Sequence, residues 1–211
     1  ATLTEATNFM LNRLRGVGLP NAWRQGTQEA AIVFERTDPK KRLNWVGPSM
    51  SARSSITARL METWSHAQAI YDLLGVRRVN GDGIANIVRL GVNTFGWAFA
   101  NRGEPVPDKM PLLQLEAPSG AIWTYGEADS NESIEGLASD FCMVVAQTRN
   151  VADTALRICG PVAARWMAVA QCFAGPPRMP PAAGSRFTNL VQSLDEPKAP
   201  AARKASSRVI S

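Results

Sequence analysis

The chain holds a single histidine, His66, and three widely spaced cysteines, Cys142, Cys159 and Cys172, with no Cys-x-x-Cys pair. An odd cysteine count without a framework reads as reduced thiols in an intracellular protein. A catalytic cysteine competes with a plainer reading, in which all three are small buried hydrophobes. No apolar run reaches the roughly 18–20 residues that cross a bilayer, and the N-terminus lacks the basic-then-apolar layout of a secretory signal. With no address visible, the expectation is a cytoplasmic protein with no membrane partner. No Lys/Arg run interleaves with aromatics, so a nucleic-acid partner is not expected. The net charge of +5 does not change that. The tail after Leu194 sets Lys198, Arg203, Lys204 and Arg208 against Asp195 and Glu196, leaving +3 for the 194 residues before it. Gly81-x-Gly83 follows no evident strand, which excludes a dinucleotide loop. There is no internal repeat.

What is present is an ordinary globular composition, 45% hydrophobic and 19% charged over 211 residues, enough for one or two domains. The first half reads as helical. Residues 4–15 have mixed apolar spacing. A helix from about Asn21 to Arg36 has Trp23, Ala30, Ile32, Val33 and Phe34 as its expected buried stripe. Asp38-Pro39 breaks it, and Leu43 to Met50 reads as a connection. The next helix is capped by Ser49 or Ser51, closed by Gly75, and carries Ile56, Leu60, Trp64, Ala67, Tyr71 and Leu74 at helical spacing. Another starts at Asp82 as N-cap, with Ile84, Val88, Gly91, Phe95 and Phe99 on one side. After Pro107 the pattern alternates. Leu113, Leu115 and Ala117, a Pro118-Ser119-Gly120 turn, and Ala121 to Tyr125 predict a β-hairpin. Glu132 to Glu135 adds a strand, Leu137 to Arg149 a helix, Leu156 to Cys159 a short segment, and Pro161 to Phe173 a last helix. Beyond Gly175 the composition turns to Pro, Ala, Ser, Lys and Arg, and the tail is expected to be disordered.

The residues with chemistry to offer are Glu62 and His66. Four apart on a helix, they share one face about one turn apart and can converge on one ion. A carboxylate and a neutral imidazole suit zinc or another late first-row divalent metal. The same spacing fits a solvated surface pair, and His66 alone fits a core histidine bonded to a backbone carbonyl. Five of the six tryptophans, Trp45, Trp64, Trp97, Trp123 and Trp166, could line a pocket, although aromatics at such spacing belong more often to a core.

Several segments resemble one family. They are Trp45-Val46-Gly47-Pro48-Ser49-Met50-Ser51, the run from Thr57 to His66, Leu90-Gly91-Val92, Ala138 to Cys142, Asp153 to Leu156 and Trp166 to Gly175. Together they are similar to an actinobacterial metal-binding family of the DinB-like, mycothiol-dependent maleylpyruvate isomerase superfamily, whose members sometimes carry the label wyosine base formation. The resemblance runs from about Trp23 to Pro177. It implies an α+β chain: a DinB-like helical bundle over 1–106, a small α+β domain similar to sterol-carrier folds over 107–177, and a tail over 178–211. It implies a divalent metal, zinc first among the candidates, with mycothiol as thiol cofactor and a small-molecule substrate. The family's metal is held by a histidine on an earlier helix plus a Glu-x-x-x-His pair, and only the pair carries over, onto Glu62 and His66. Relatives are also expected to carry histidines near Asn86 and Arg89, where this chain has none.

The bundle is therefore expected to be incomplete, through N-terminal truncation or because another chain completes it. A homo-oligomer joined through an exposed helical face would do so. Arg149 falls where the isomerase-like enzymes use an arginine for an anionic substrate or thiol, and its planar fork suits a carboxylate. The plainer reading is a solvated arginine at a helix C-terminus. Two functions stay open: a metal- and thiol-dependent isomerase or transferase, or a non-catalytic binding or scaffold protein in which the pair is a relic.

Overall fold

The computed structural model describes residues 18–44, 49–127 and 131–188. The readings made for residues 4–15, for 45–48 and for the chain beyond 188 lie outside them. The chain is α+β and divides into two compact units, Ala1–Trp64 and Ser65–Ser211. The boundary read at 106/107 falls inside the second unit.

In the first unit, α1 spans Gly18–Glu35 and none of its residues is buried. This overturns the expected buried stripe: Trp23 is 60% exposed, Ile32 and Val33 are also exposed, and Ala30 and Phe34 are only partly covered. Amphipathic spacing gives a helix a face to bury but does not supply its cover. Beyond Thr37 the Asp38 carboxylate accepts from Lys40 N–H at 2.9 Å, a tight turn around Pro39. The segment read as a plain connection contains two short antiparallel strands, β1 (Arg42–Leu43) and β2 (Met50–Ser51), paired Arg42 to Ser51 and Leu43 to Met50.

Helix α2 runs from Ala52 to Leu74, and the unit boundary falls within it. Ser51 Oγ accepts from Ser54 N–H at 3.1 Å, the N-cap bond that its sequence promised. Gly75 ends the helix at φ +65°, a conformation that costs glycine nothing. Its buried positions are Ala52, Met61, Trp64 and Gln68. The predicted stripe is largely a different one. Of it, Ile56, Leu60 and Leu74 are exposed, Ala67 and Tyr71 are partly covered, and Trp64 alone is buried.

The second unit builds its core on a four-stranded mixed sheet. Its strands are β3 (Leu112–Glu116), β4 (Ile122–Tyr125), β5 (Ser133–Leu137) and β6 (Arg157–Cys159), in the order β4-β3-β5-β6. The hairpin pairs Leu113 with Tyr125 and Leu115 with Trp123, as the alternation requires. β5 lies parallel to β3, and β6 antiparallel to β5 at the edge. Helices α3 (Ala85–Asn93), α4 (Phe95–Ala100), α5 (Ala138–Val145) and α6 (Pro161–Val169) complete the unit.

The helix expected from Asp82 is broken into a 3₁₀ turn, α3 and α4. Thr94 Oγ donates back to the carbonyls of Leu90 and Gly91 at 2.9 and 3.0 Å, a pattern that bends helices. Asp82 does not cap it. Its carboxylate accepts from Ser119 N–H at 3.0 Å, in the turn of the hairpin. The predicted face survives the break, since Ile84, Val88, Gly91, Phe95 and Phe99 are all buried. A Cβ on Gly91 would stand 2.9 Å from Phe141 and 3.1 Å from Val145, so only glycine lets α3 approach α5 this closely. Phe95 and Phe141 both meet Trp166 edge-on, at 4.9 and 5.6 Å between centroids.

Helix α5 stops at Val145 rather than reaching Arg149, because Gln147 adopts φ +54°. Its side-chain amide holds that conformation by donating to the carbonyls of Ala170 and Arg178, each at 3.0 Å. Residues 178–188, read from sequence as the start of a tail, are bonded to this unit. Asn150 donates to the Pro181 carbonyl at 2.9 Å, and Asp153 accepts from Gly184 N–H at 2.8 Å.

Candidate functional site

The two sequence-read ligands stand on α2 with the predicted spacing. At about 100° per residue, Glu62 and His66 lie about 40° apart around the helix, so they share a face. Both are exposed, and that face is turned well away from buried Met61, Trp64 and Gln68. The reading of His66 as a core histidine is thereby removed. Donor chemistry suits a divalent cation, with one carboxylate and one imidazole a helical turn apart. Donor number falls short: no group of three His, Cys, Asp or Glu side chains able to hold a metal occurs among the described residues. A tetrahedral zinc site takes four ligands, and a catalytic one takes three from protein. The described residues supply two.

Arg149 is not solvated at a helix end. It is 5% exposed, and its guanidinium grips the Asp72 carboxylate as a two-pronged fork, Nη1 to Oδ2 at 2.8 Å and Nη2 to Oδ1. Thr188 Oγ donates to Asp72 at 2.7 Å and Gln68 Nε2 donates to it at 3.0 Å. Arg149 also donates to the Thr148 carbonyl at 2.8 Å. Burial works to raise the Asp72 carboxyl, but the hydrogen bonds from Arg149, Thr188 and Gln68 outweigh it and hold it below the usual carboxylate range. Sequence reasoning missed Asp72, Gln68 and Thr188. The only local signal was the Gln68–Asp72 spacing of four, which says nothing of a partner 77 residues away.

The cysteines separate. Cys142 and Cys172 are buried, and burial pushes the Cys142 thiol well above its ordinary value, away from the thiolate a nucleophile needs. Cys159 is exposed, contrary to the expectation of three buried cysteines, because β6 is an edge strand on which Arg157 and Cys159 both point outward. Of the tryptophans, Trp64 and Trp166 are buried and Trp97 and Trp123 are half-buried, while Trp45 lies outside the described residues. No helix among the described residues is long and apolar enough to cross a membrane.

Comparison with known proteins bears on this region. Two uncharacterized proteins of Mycobacterium tuberculosis, from the Oshkosh and ATCC 25618 strains, are 42% identical to the chain over 137 residues. The matched stretch is 65% of this chain and 53% of either relative, so the chain spans about half the length of the curated relatives it matches. No solved structure matches it. Residues 6–71, Glu62 and His66 included, match the model of the mycothiol maleylpyruvate isomerase N-terminal domain, which sets about a third of the chain alongside a thiol-related family.

Proposed function

We propose that the chain is a divalent-metal-binding protein related to the thiol-dependent isomerases and transferases, with Glu62 and His66 as its own ligands and zinc as the metal. The observation that carries this reading is the exposed Glu-x-x-x-His pair on α2, inside the stretch that matches the isomerase domain. A zinc ion bound there would draw a coordinated thiol, of the mycothiol type, toward its thiolate. No catalytic step is assigned to this chain's residues. Arg149 stays out of the reading as a substrate anchor, since Asp72 already engages both prongs of its fork.

The test is metal analysis of the purified full chain after dialysis against zinc chloride, with His66→Ala beside it. The reading expects zinc retained by the wild type and lost by the variant. Retention equal in both would overturn it.

A second reading, a non-catalytic binding or scaffold protein, is favoured by the engagement of Arg149 with Asp72. It expects neither protein to retain zinc.

A further inference from the structure

Three side chains three residues apart, Gln147, Asn150 and Asp153, hold three backbone groups that are also three apart. Gln147 Nε2 donates to the Arg178 carbonyl at 3.0 Å, Asn150 Nδ2 donates to the Pro181 carbonyl at 2.9 Å, and the Asp153 carboxylate accepts from Gly184 N–H at 2.8 Å. Each tie joins residues 31 apart, so the two segments run side by side in one direction and in one register. The shared period has a cause on each side. Met179 and Pro180 each precede a proline and are pushed into extended backbone. A polyproline II helix has three residues per turn, which turns the carbonyls of Arg178 and Pro181 the same way. Opposite them Val151–Asp153 is a 3₁₀ turn closed by Asp153 N–H on the Asn150 carbonyl at 3.0 Å, and residues three apart on such a turn stand one above the other.

Every one of these ties is made to backbone, as are those of Asn101 to Gly175 and of Gln171 to Pro176, both at 3.2 Å. None of residues 175–188 is buried, and Met179 is 79% exposed. The segment is therefore fastened by hydrogen bonds and contributes no side chain to the core, unlike β3, where Leu113 and Leu115 are wholly buried. Backbone held at the surface without buried apolar contacts is the first part of a fold to open locally. The body beneath keeps its own bonds when the segment leaves. Gln147 still donates to the Ala170 carbonyl, Asn150 still caps Ala152 N–H at 2.9 Å, and Arg149 still grips Asp72. What is lost is Thr188, whose hydroxyl donates to Asp72 and accepts from Arg149 at 3.3 Å.

We propose that residues 178–188 are a strap that opens and recloses on Gln147, Asn150 and Asp153 while the sheet stays folded, and that it gates the access of solvent to Arg149. Closed, it leaves that arginine 5% exposed, with Thr188 lying on its guanidinium. Open, it takes Thr188 off both members of the fork and exposes their edge to water. The strap shares no residue with Glu62 and His66, so it stands whether or not those two bind metal.

The experiment is amide hydrogen exchange of the full chain read by mass spectrometry, with phenylglyoxal labelling of arginines on the same preparations. Strap amides should exchange about a hundredfold faster than those of β3 and β5. Asn150→Asp keeps the oxygen that caps Ala152 and removes the donor to Pro181, and Asp153→Ala removes the acceptor for Gly184. Each should speed strap exchange roughly fivefold to tenfold, the loss of one hydrogen bond, with the sheet amides unchanged. Phenylglyoxal should label Arg149 faster in both variants by the same factor, while exposed Arg24 on α1 labels at one rate throughout. Strap amides that exchange no faster than the sheet, or sheet amides that speed up with the strap in either variant, would overturn the strap. Strap exchange unchanged in both variants would overturn its seat on Asn150 and Asp153. Arg149 labelling that does not follow strap exchange would overturn the gate.

Discussion

Helix α2 carries two pairs of side chains of opposite character. Near its C-terminal end Asp72 meets Arg149 in a buried fork, with Thr188 and Gln68 filling the remaining acceptor sites on the carboxylate. Two to three turns earlier, Glu62 and His66 stand exposed on another face. In the first, one chain satisfies each charge with fixed partners, and its role is to fasten one part of the fold to another. In the second, the proposed reading places a metal ion. The two pairings should therefore respond to substitution in opposite ways.

The largest effect belongs to the fork. Arg149→Met leaves Asp72 part-buried without its counter-charge, and should lower unfolding free energy by about 3 kcal/mol in urea titration. The double variant Asp72→Leu, Arg149→Met removes both charges and should recover most of that loss. If the single variant costs under half a kcal/mol, the fork is not structural, and the arginine becomes available again as an anion site.

Acid should dissolve the same pair. Because the folded state holds the Asp72 carboxyl below its ordinary value of 3.8, its contribution is complete above that pH. It is lost as pH falls through the lower folded value. Stability measured between pH 5 and pH 2 should drop for the wild type, and Asp72→Asn should flatten its share of that slope. A variant with the wild-type slope would break the assignment. Next in size is Thr188→Val, which removes one donor to Asp72 and should cost about 1 kcal/mol. An unchanged stability would show that residue 188 is held there passively.

The sequence made the local parts of this comparison legible. The α+β class, the hairpin turning at Pro118-Ser119-Gly120, the caps of α2 at Ser51 and Gly75, and the Glu62–His66 spacing all depend on residues a few positions apart. Helical or strand periodicity encodes such relations directly. What could not be read depends on what lies across space. Trp23, Ile32 and Val33 have the spacing of a buried stripe and are exposed, because periodicity names a face and not its cover. The end of α5 was overrun by four residues, since the clamp of Gln147 on Ala170 and Arg178 links positions far apart in sequence. Arg149, with its two readings of anion anchor and solvated helix end, escapes for the same reason: its partner Asp72 is on a helix 77 residues earlier.

The smallest effect on stability is the sharpest test of the contrast. Glu62→Ala and His66→Ala change exposed side chains of α2, so each should move unfolding free energy by no more than about 0.5 kcal/mol. Alanine's better helix propensity works slightly in their favour. The same two variants should eliminate zinc retention, measured on the same preparations. Zinc should in turn raise the midpoint of thermal unfolding of the wild type and leave both variants where they are, because a ligand stabilises only the folded state it binds. That combination, indifferent stability with complete loss of metal response, is the reverse of what Arg149→Met should show. Substantial destabilisation by His66→Ala in the absence of metal would erase the difference, and would place the imidazole with the structural residues of α2.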